Sequence, residues 1–352
     1  MYSIPVSRGR GREKNIVGAT INAQENHVVG SRTMKKIRWG ILSTARIAHQ
    51  FADDMACVDN GVLAAIASRS AETAAAFAAR HDIPKAYSTY EQLYADPSID
   101  AIYIATPHSL HLQNSIDALR AGKAVLCEKP LTLSVEEVDT LSNVIAETGG
   151  YLMEGMWTWF LPAIRQALEW VAAGKIGRLC HVKSDFGFPF LPYSPERREY
   201  NAELGGGAVP EMGIYPIAMA YLFTRSDPLS IDVVSRRAPN GVEDDVVAIL
   251  NYENCVATLS TSFRCKLPNR TYVIGDQGHV VIPEFWAARE CQLYRVDEKV
   301  DSFVDDRESH GYDFEAIAVG NDLLAGRRES EIMPLSVSRT FQEHIAAIKA
   351  RC

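Results

Sequence analysis

Ala124-Val-Leu-Cys-Glu-Lys-Pro130 is the segment from which the rest of the chain can be read. Its four apolar residues, 124–127, predict a short buried strand that runs straight into Glu128, Lys129 and Pro130. In an open parallel sheet, ligands sit outside the carboxyl ends of the strands. Lys129 therefore stands where a side chain can act. Pro130 fixes its own φ and biases the residue before it toward an extended backbone, which aims the ammonium. Taken alone, the segment reads more plainly as a strand ending in solvent at a lysine. Its surroundings turn that balance.

Working outward, strands and helices alternate. Residues 37–42 form an apolar strand, and Ser43-Thr44-Ala45-Arg46-Ile47-Ala48 opens a helix to about residue 57. A second strand covers 62–67, and an Ala-rich helix covers 70–81. The third strand is 101–105, followed by a helix over 110–121 stopped by Gly122. After the central strand, Ser134-x-x-Glu137 is a capping box that opens a helix to Thr148, and 151–154 is a further strand. This alternation predicts a doubly wound parallel sheet with right-handed crossovers, an α/β fold.

The loop after the first strand has the spacing G-x-G-x-x-G/A, with Ser43 and Ala45 where glycines are usual. Such loops bring backbone N–H groups at a helix N-terminus close to a pyrophosphate. Ser and Ala are the next smallest residues, so Ser43, Thr44, Ala45, Arg46 and Ile47 are the candidate phosphate-binding loop. The second strand ends in Ser68-Arg69-Ser70, without the acid that usually meets a free ribose 2′-hydroxyl. Guanidinium and hydroxyl groups suit a 2′-phosphate instead, so NADP(H) is expected over NAD. Thr106, Pro107, His108 and His111 follow the third strand; they are read as lining the nicotinamide pocket, together with Glu128 and Lys129, with a helix start as the other reading of the two histidines. Two histidines three apart also invite a metal, but no acid or cysteine lies beside them in sequence, and no metal is expected.

The pattern changes after Glu154. Gly155-Met-Trp-Thr-Trp-Phe-Leu-Pro162 concentrates three large aromatics. Trp157 and Trp159, with Phe186, Phe188 and Trp286, suit either core or the wall of a pocket for a ring-shaped substrate. A helix is expected over 162–172. Strands are expected over 179–186, 230–237, 246–252, 255–263, 271–275, 279–282 and 291–296. Turns rather than helices join most of these, so the second sheet is expected to be large, open and mostly antiparallel. Helices over 312–325 and 336–349 close the chain. Between the strands, Gly205-Gly-Gly-Ala-Val-Pro-Glu-Met-Gly-Ile-Tyr215 leads into a helix that places Glu211 and Tyr215 on one face. A tyrosine there can serve as a proton donor if a cation lowers its pKa, and Lys129 is the candidate cation.

Bulk properties agree. A chain of 352 residues suggests two domains, and 47% hydrophobic with 23% charged residues is an ordinary globular composition. The net charge of -8 gives no electrostatic case for nucleic acid or an anionic membrane surface. No apolar run reaches the roughly 18 residues of a spanning helix. Seven scattered cysteines without a C-x-x-C favour reduced thiols in the cytoplasm. Residues 1–36 are basic, acid-poor and aperiodic. They are read as an unstructured leader or a start placed too early, with Met34 as the working start. The expected domains are this leader, a Rossmann domain over 37–155, an α+β domain over 156–335 and a C-terminal helix over 336–352.

Taken together, Glu128-Lys129-Pro130 after a Rossmann strand and the Gly205 to Tyr215 stretch resemble the Gfo/Idh/MocA family. Trp39-Gly-Ile-Leu-Ser43, Ala67-Ser-Arg69, Glu154-Gly-Met-Trp157 and Tyr215 are similar to one branch of it, which contains dimeric dihydrodiol dehydrogenase, 1,5-anhydrofructose reductase and NADP-dependent xylose dehydrogenase. The resemblance implies hydride transfer between NADP(H) and a carbon bearing oxygen in a small sugar or diol. It implies Lys129 beside the substrate oxygen, Tyr215 as acid/base and Glu211 orienting the substrate. It also implies a homodimer through the open sheet. Glu211 departs from the family's Asp, and Trp159 stands where this branch often has Arg. A rival reading is a cofactor-binding regulator without catalysis.

Overall fold

The repeat of apolar strand and polar-faced helix produces six parallel strands. The computed structural model describes Lys35–Cys352, so the leader expected over 1–36 lies almost wholly outside the described residues. The elements in chain order are β1 (Ile37–Leu42), α1 (Arg46–Asp54), β2 (Gly61–Ala67), α2 (Ala71–Arg80), β3 (Lys85–Tyr87), α3 (Tyr90–Ala95), β4 (Ala101–Ile104), α4 (His111–Arg120), β5 (Ala124–Glu128), α5 (Val135–Thr148) and β6 (Leu152–Gly155). The strand order is β3-β2-β1-β4-β5-β6, with every pair parallel. This is the doubly wound order whose direction reverses between β1 and β4. The central strands β1, β4 and β5 are mostly apolar and buried because both their faces are covered. Trp39, Ile41 and Tyr103 pack on one side, and Leu42, Ile102 and Val125 on the other.

Local chemistry sets the helix starts. Ser70, Thr89 and Ser134 accept the backbone N–H of Thr73, Gln92 and Glu137 and cap α2, α3 and α5. In the capping box, the Glu137 carboxylate reaches Leu133 N rather than Ser134 N. α1 differs: Ala45 gives no side-chain cap, and its first turn holds no acid.

The second half comprises α6 (Pro162–Ala172), β7 (Leu179–Gly187), α7 (Ile214–Thr224), β8 (Ser230–Arg237), β9 (Glu243–Asn251), β10 (Val256–Ser262), β11 (Arg270–Gly275), β12 (His279–Pro283), β13 (Glu290–Arg295), β14 (Glu298–Val304), α8 (Asp313–Leu324) and α9 (Leu335–Lys349). Its eight strands form one sheet in the order β14-β13-β12-β11-β7-β10-β9-β8. All neighbours are antiparallel except β7 and β10. α6, α7 and α9 pack on this sheet, while Val234, Val247 and Ile249 remain exposed.

Three elements carry no periodic signal and are absent from the sequence reading: β3, α3 and β14. The first two span only three and six residues. β14 is an edge strand exposed along nearly its whole length, so no apolar alternation marks it. Residues 209–213, expected as ordinary α-helix, form a π-helical turn leading into α7. Among the described residues, no helix is long and apolar enough to cross a membrane. No disulfide joins the seven cysteines.

Ser43 has φ 98°, in the region that favours glycine, which explains why glycine is usual at this position. Its N–H is nevertheless bonded to Ala67 O at 2.9 Å, which holds the turn. Ser43→Gly is expected to stabilise the fold by about 0.5–1 kcal/mol, because relief of the left-handed strain exceeds the added freedom of the unfolded chain. Urea denaturation measures this, and a loss of stability would contradict it.

Candidate active site

The loops at the carboxyl ends of β1, β2, β4 and β5 gather the residues singled out in the sequence. Ser43, Thr44, Ala45 and Ile47 are half-buried around the start of α1, and Arg46 is exposed. Ser68 is buried with its hydroxyl 2.7 Å from that of Thr73, and Arg69 is exposed. Thr106 and Pro107 follow β4, and the Thr106 hydroxyl accepts from Asn114 Nδ2 at 3.0 Å. Glu128 ends β5 buried. It accepts the Tyr103 hydroxyl on one oxygen and the Lys129 N–H at 3.2 Å on the other.

Lys129 crosses to the second half. Its Nζ donates to the carbonyl oxygen of Glu211 at 2.9 Å and lies 4.9 Å from the centre of the Tyr215 ring. That carbonyl belongs to the π-helical turn Val209–Gly213 that leads into α7. Tyr215 is 7% exposed, and its hydroxyl accepts from Trp157 Nε1 at 3.1 Å. An indole N–H only donates, so the phenol keeps its own proton free for another acceptor.

The expected lowering of the Tyr215 pKa by Lys129 is not found. Burial, then the charge of Glu128, push the phenol upward, against the bond from Trp157. Tyr215 is a firmly protonated phenol. Glu211 behaves in the opposite way. Burial opposes its charge, but Lys129, Arg198 and His108 outweigh burial and hold the carboxyl below the usual range. Its two oxygens accept from Arg198 Nη2 and Nη1 at 2.7 and 2.8 Å. The carboxylate expected to orient substrate is thus engaged by a guanidinium. Arg198 is absent from the sequence reading because Glu196-Arg197-Arg198-Glu199 looks like a solvated surface loop.

His108 and His111 separate. His108 Nε2 lies 3.6 Å from the Glu211 carboxylate and 3.3 Å from Arg198. His111 is fully buried, its ring nitrogens 2.8 Å from Pro130 O and Thr106 O. It ties the β4 loop to the β5 loop rather than facing a ligand. Two carbonyl partners favour the doubly protonated ring, but burial wins and pushes it down to about 4. Burial likewise takes His108 down to about 3. Among the described residues, no group of three or more His, Cys, Asp or Glu is arranged to hold a metal ion.

The aromatic residues divide in the same way. Phe186 packs against Tyr215 with centroids 5.1 Å apart and against Trp286 at 5.5 Å, and Phe188 joins Trp286. Trp157 stacks on Tyr312 at 4.5 Å. Trp159 is not brought into this cluster. It is fully buried, packed edge-on to Phe341 and beneath the Arg225 guanidinium. Glu315 is fully buried with no hydrogen-bond partner on either oxygen, and burial, with the charges of Glu128 and Asp54, pushes its carboxyl well above the usual range.

Comparison with known proteins agrees with this architecture. Residues 37–156 match the family model of the oxidoreductase family with an NAD-binding Rossmann fold, and residues 164–281 match that of the GFO/IDH/MocA C-terminal domain. Trans-1,2-dihydrobenzene-1,2-diol dehydrogenase of Mus musculus is 33% identical over 319 residues, covering 87% of this chain and 94% of that protein. The chain belongs to the Gfo/Idh/MocA family of oxidoreductases. Among solved structures, aldose-aldose oxidoreductase from Caulobacter crescentus has the same fold, with a TM-score of 0.82 at 23% identity over 90% of this chain and 97% of that one. KijD10, a 3-ketoreductase from Actinomadura kijaniata solved with NADP and TDP-benzene, has a TM-score of 0.79 at 26% identity, over 90% and 98% of the two chains.

The two depressed histidines make stability pH-dependent. The unfolded rings bind protons below about pH 6.5, while the folded rings refuse them until about pH 4 and 3. The stability they contribute is therefore complete above pH 6.5 and is lost as the pH falls through that window. Between pH 7 and 5 each ring accounts for about 2 kcal/mol of lost unfolding free energy. His111→Asn should lose less stability than the parent across this interval in urea titrations, and an identical loss would contradict the assignment.

Proposed function

We propose that the chain is an NADP(H)-dependent oxidoreductase that moves hydride between the nicotinamide and a hydroxyl- or carbonyl-bearing carbon of a sugar or cyclic diol. The observation that carries this reading is the approach of the Lys129 ammonium from the first half of the chain to the Tyr215 phenol from the second. Similarity to dihydrodiol dehydrogenases and to a 3-ketoreductase solved with NADP supports the substrate and cofactor class.

The residues present fit the cofactor. The uncapped, acid-free start of α1 leaves N–H donors for a pyrophosphate, and the left-handed backbone at Ser43 keeps the loop in the glycine-like turn. Ser43, Thr44, Ala45, Arg46 and Ile47 would hold the phosphates. Ser68 and Arg69, with no acid at the end of β2, would meet a 2′-phosphate. Thr106, Pro107, His108, Glu128 and Lys129 would line the nicotinamide side. The bound nicotinamide supplies the hydride chemistry.

The protein's own groups manage the proton. In the reducing direction the Tyr215 hydroxyl, fixed by the Trp157 N–H, gives its proton to the substrate oxygen. Lys129 Nζ stabilises charge on that oxygen and on the phenolate left behind. Oxidation reverses the transfer. Phe186, Trp157 and Trp286 supply an apolar wall that suits the face of a ring. Glu211, tied to Arg198, positions Lys129 through its carbonyl and sets the charge of the opposite wall. In this reading residues 37–155 form the cofactor domain and 156–335 the substrate domain. The uncovered face of the second sheet, with Val234 75% exposed, pairs with a second copy. Seven unpaired thiols support a cytoplasmic setting.

Lys129→Ala and Tyr215→Phe should each lower kcat by at least about 10²-fold while NADPH binding, followed by fluorescence, is retained. The assay is reduced-nicotinamide absorbance with trans-1,2-dihydrobenzene-1,2-diol, xylose and glucose. Undiminished turnover in both variants would remove the assignment, and binding without turnover of any substrate by the parent would favour a cofactor-binding regulator. Arg69→Ala should weaken NADP binding about tenfold or more and leave NAD binding unchanged, since only the 2′-phosphate contact is lost. Equal loss for both would contradict the NADP preference.

A further inference from the structure

Asp54 is the last residue of α1, buried, and more than 250 residues from its partners. One carboxylate oxygen accepts the His310 N–H at 2.8 Å, and the other accepts the N–H groups of Gly311 and Tyr312, both at 2.8 Å. Three consecutive backbone donors closing on one carboxylate fix the conformation of a loop more firmly than any single bond. That loop leads into α8 and delivers Tyr312, whose ring stacks on Trp157 at 4.5 Å and 22°. Gly311 permits the approach: it has φ 120°, and a β-carbon there would stand 3.1 Å from the Trp157 ring and 2.7 Å from Leu161. Trp157 in turn donates to the Tyr215 hydroxyl.

We propose that Asp54 is a positioning residue for the proton-transfer step: by clamping the 310–312 backbone it seats Tyr312 against the indole that fixes the Tyr215 hydroxyl. The inference rests on the reading of Tyr215 as acid/base. Two features separate this clamp from an ordinary loop tie. It joins a helix of the cofactor-binding sheet to the wall of the substrate cleft. Every step between the carboxylate and the phenol is a directional bond or a ring stack, so a displacement of the loop is handed on to the hydroxyl rather than absorbed by solvent. Asp54 touches neither substrate nor cofactor, so its loss should affect turnover and leave binding alone.

The experiment compares Asp54→Asn, Trp157→Phe and their double variant in the nicotinamide absorbance assay, with Tyr215→Phe as reference. Asp54→Asn keeps acceptor capacity on one atom only. It should lower kcat about tenfold, the scale of a misplaced catalytic group, with KM for substrate and NADPH affinity within about twofold of the parent. Trp157→Phe keeps the stack and removes the N–H, and should lower kcat similarly. Because both act through one hydroxyl, the double variant should be no slower than the slower single by more than about threefold. Multiplying effects, or an Asp54→Asn loss confined to NADPH affinity, would overturn the proposal. If Tyr215→Phe turns over normally, the acid/base reading itself fails. If it is inactive while Asp54→Asn matches the parent, only the present inference fails.

A second readout needs no turnover. Amide hydrogen exchange in Asp54→Asn should quicken in residues 308–314 and, together with them, in 155–161. A rise confined to 308–314 would overturn the coupling. Should Asp54→Asn not fold, Tyr312→Leu breaks the same chain at the stack with the three carboxylate bonds intact. It should lower kcat and quicken exchange at 155–161, and wild-type behaviour in both would overturn the proposal.

Discussion

The hydrogen bond from Lys129 Nζ to the Glu211 carbonyl is the point on which the site depends. It joins the end of β5 to the turn before α7, and so sets how the lysine stands over Tyr215. Each side prepares for it. On one side the strand delivers the residue, and Glu128 takes its N–H. On the other, the π-helical turn Val209–Gly213 presents the carbonyl that the ammonium reaches. A cation meeting a part-buried carbonyl is a charge-assisted bond of the stronger kind. Its length constrains both halves together.

Around that bond the charges sort by depth. Toward the cleft, Lys129, Arg198 and Glu211 form a paired set in which the carboxylate keeps its charge. Below it, burial dominates: Glu128 and Glu315 are pushed up, and Tyr103, Tyr215 and Tyr312 are pushed away from ionisation. Burial and the charge of Glu128 thus hold the Tyr215 phenol protonated beside the ammonium of Lys129. Departure of that proton is opposed by Glu128 and eased by the ammonium, so the direction of net reaction rests with the substrate and the cofactor ratio.

Much of the fold was legible from local pattern. The alternation of apolar strand and capped helix predicted each long element of the parallel sheet to within a few residues, and Lys129 fell at a strand end because 124–127 is apolar and Pro130 follows. The short β3 and α3 and the solvated β14 were not legible, since neither length nor a buried face imposes a period on them. The cleft followed the same divide. Lys129, Glu211 and Tyr215 stood out through motif spacing. Arg198, Tyr312 and Asp54 did not, because nothing near them in sequence distinguishes them from a surface loop, a core aromatic and a helix-end acid.

By itself, then, the sequence determined which residues alternate, where strands end and which side chains stand at those ends, since periodicity and caps act over a few residues. The tertiary structure alone decided the partners. Arg198 takes the carboxylate of Glu211, Trp157 holds a hydroxyl 58 positions away, and Asp54 clamps a backbone 258 positions on. It also decided that burial, rather than the neighbouring ammonium, governs the tyrosine. Desolvation and directional bonds between distant segments depend on the packed arrangement, and no local spacing encodes them.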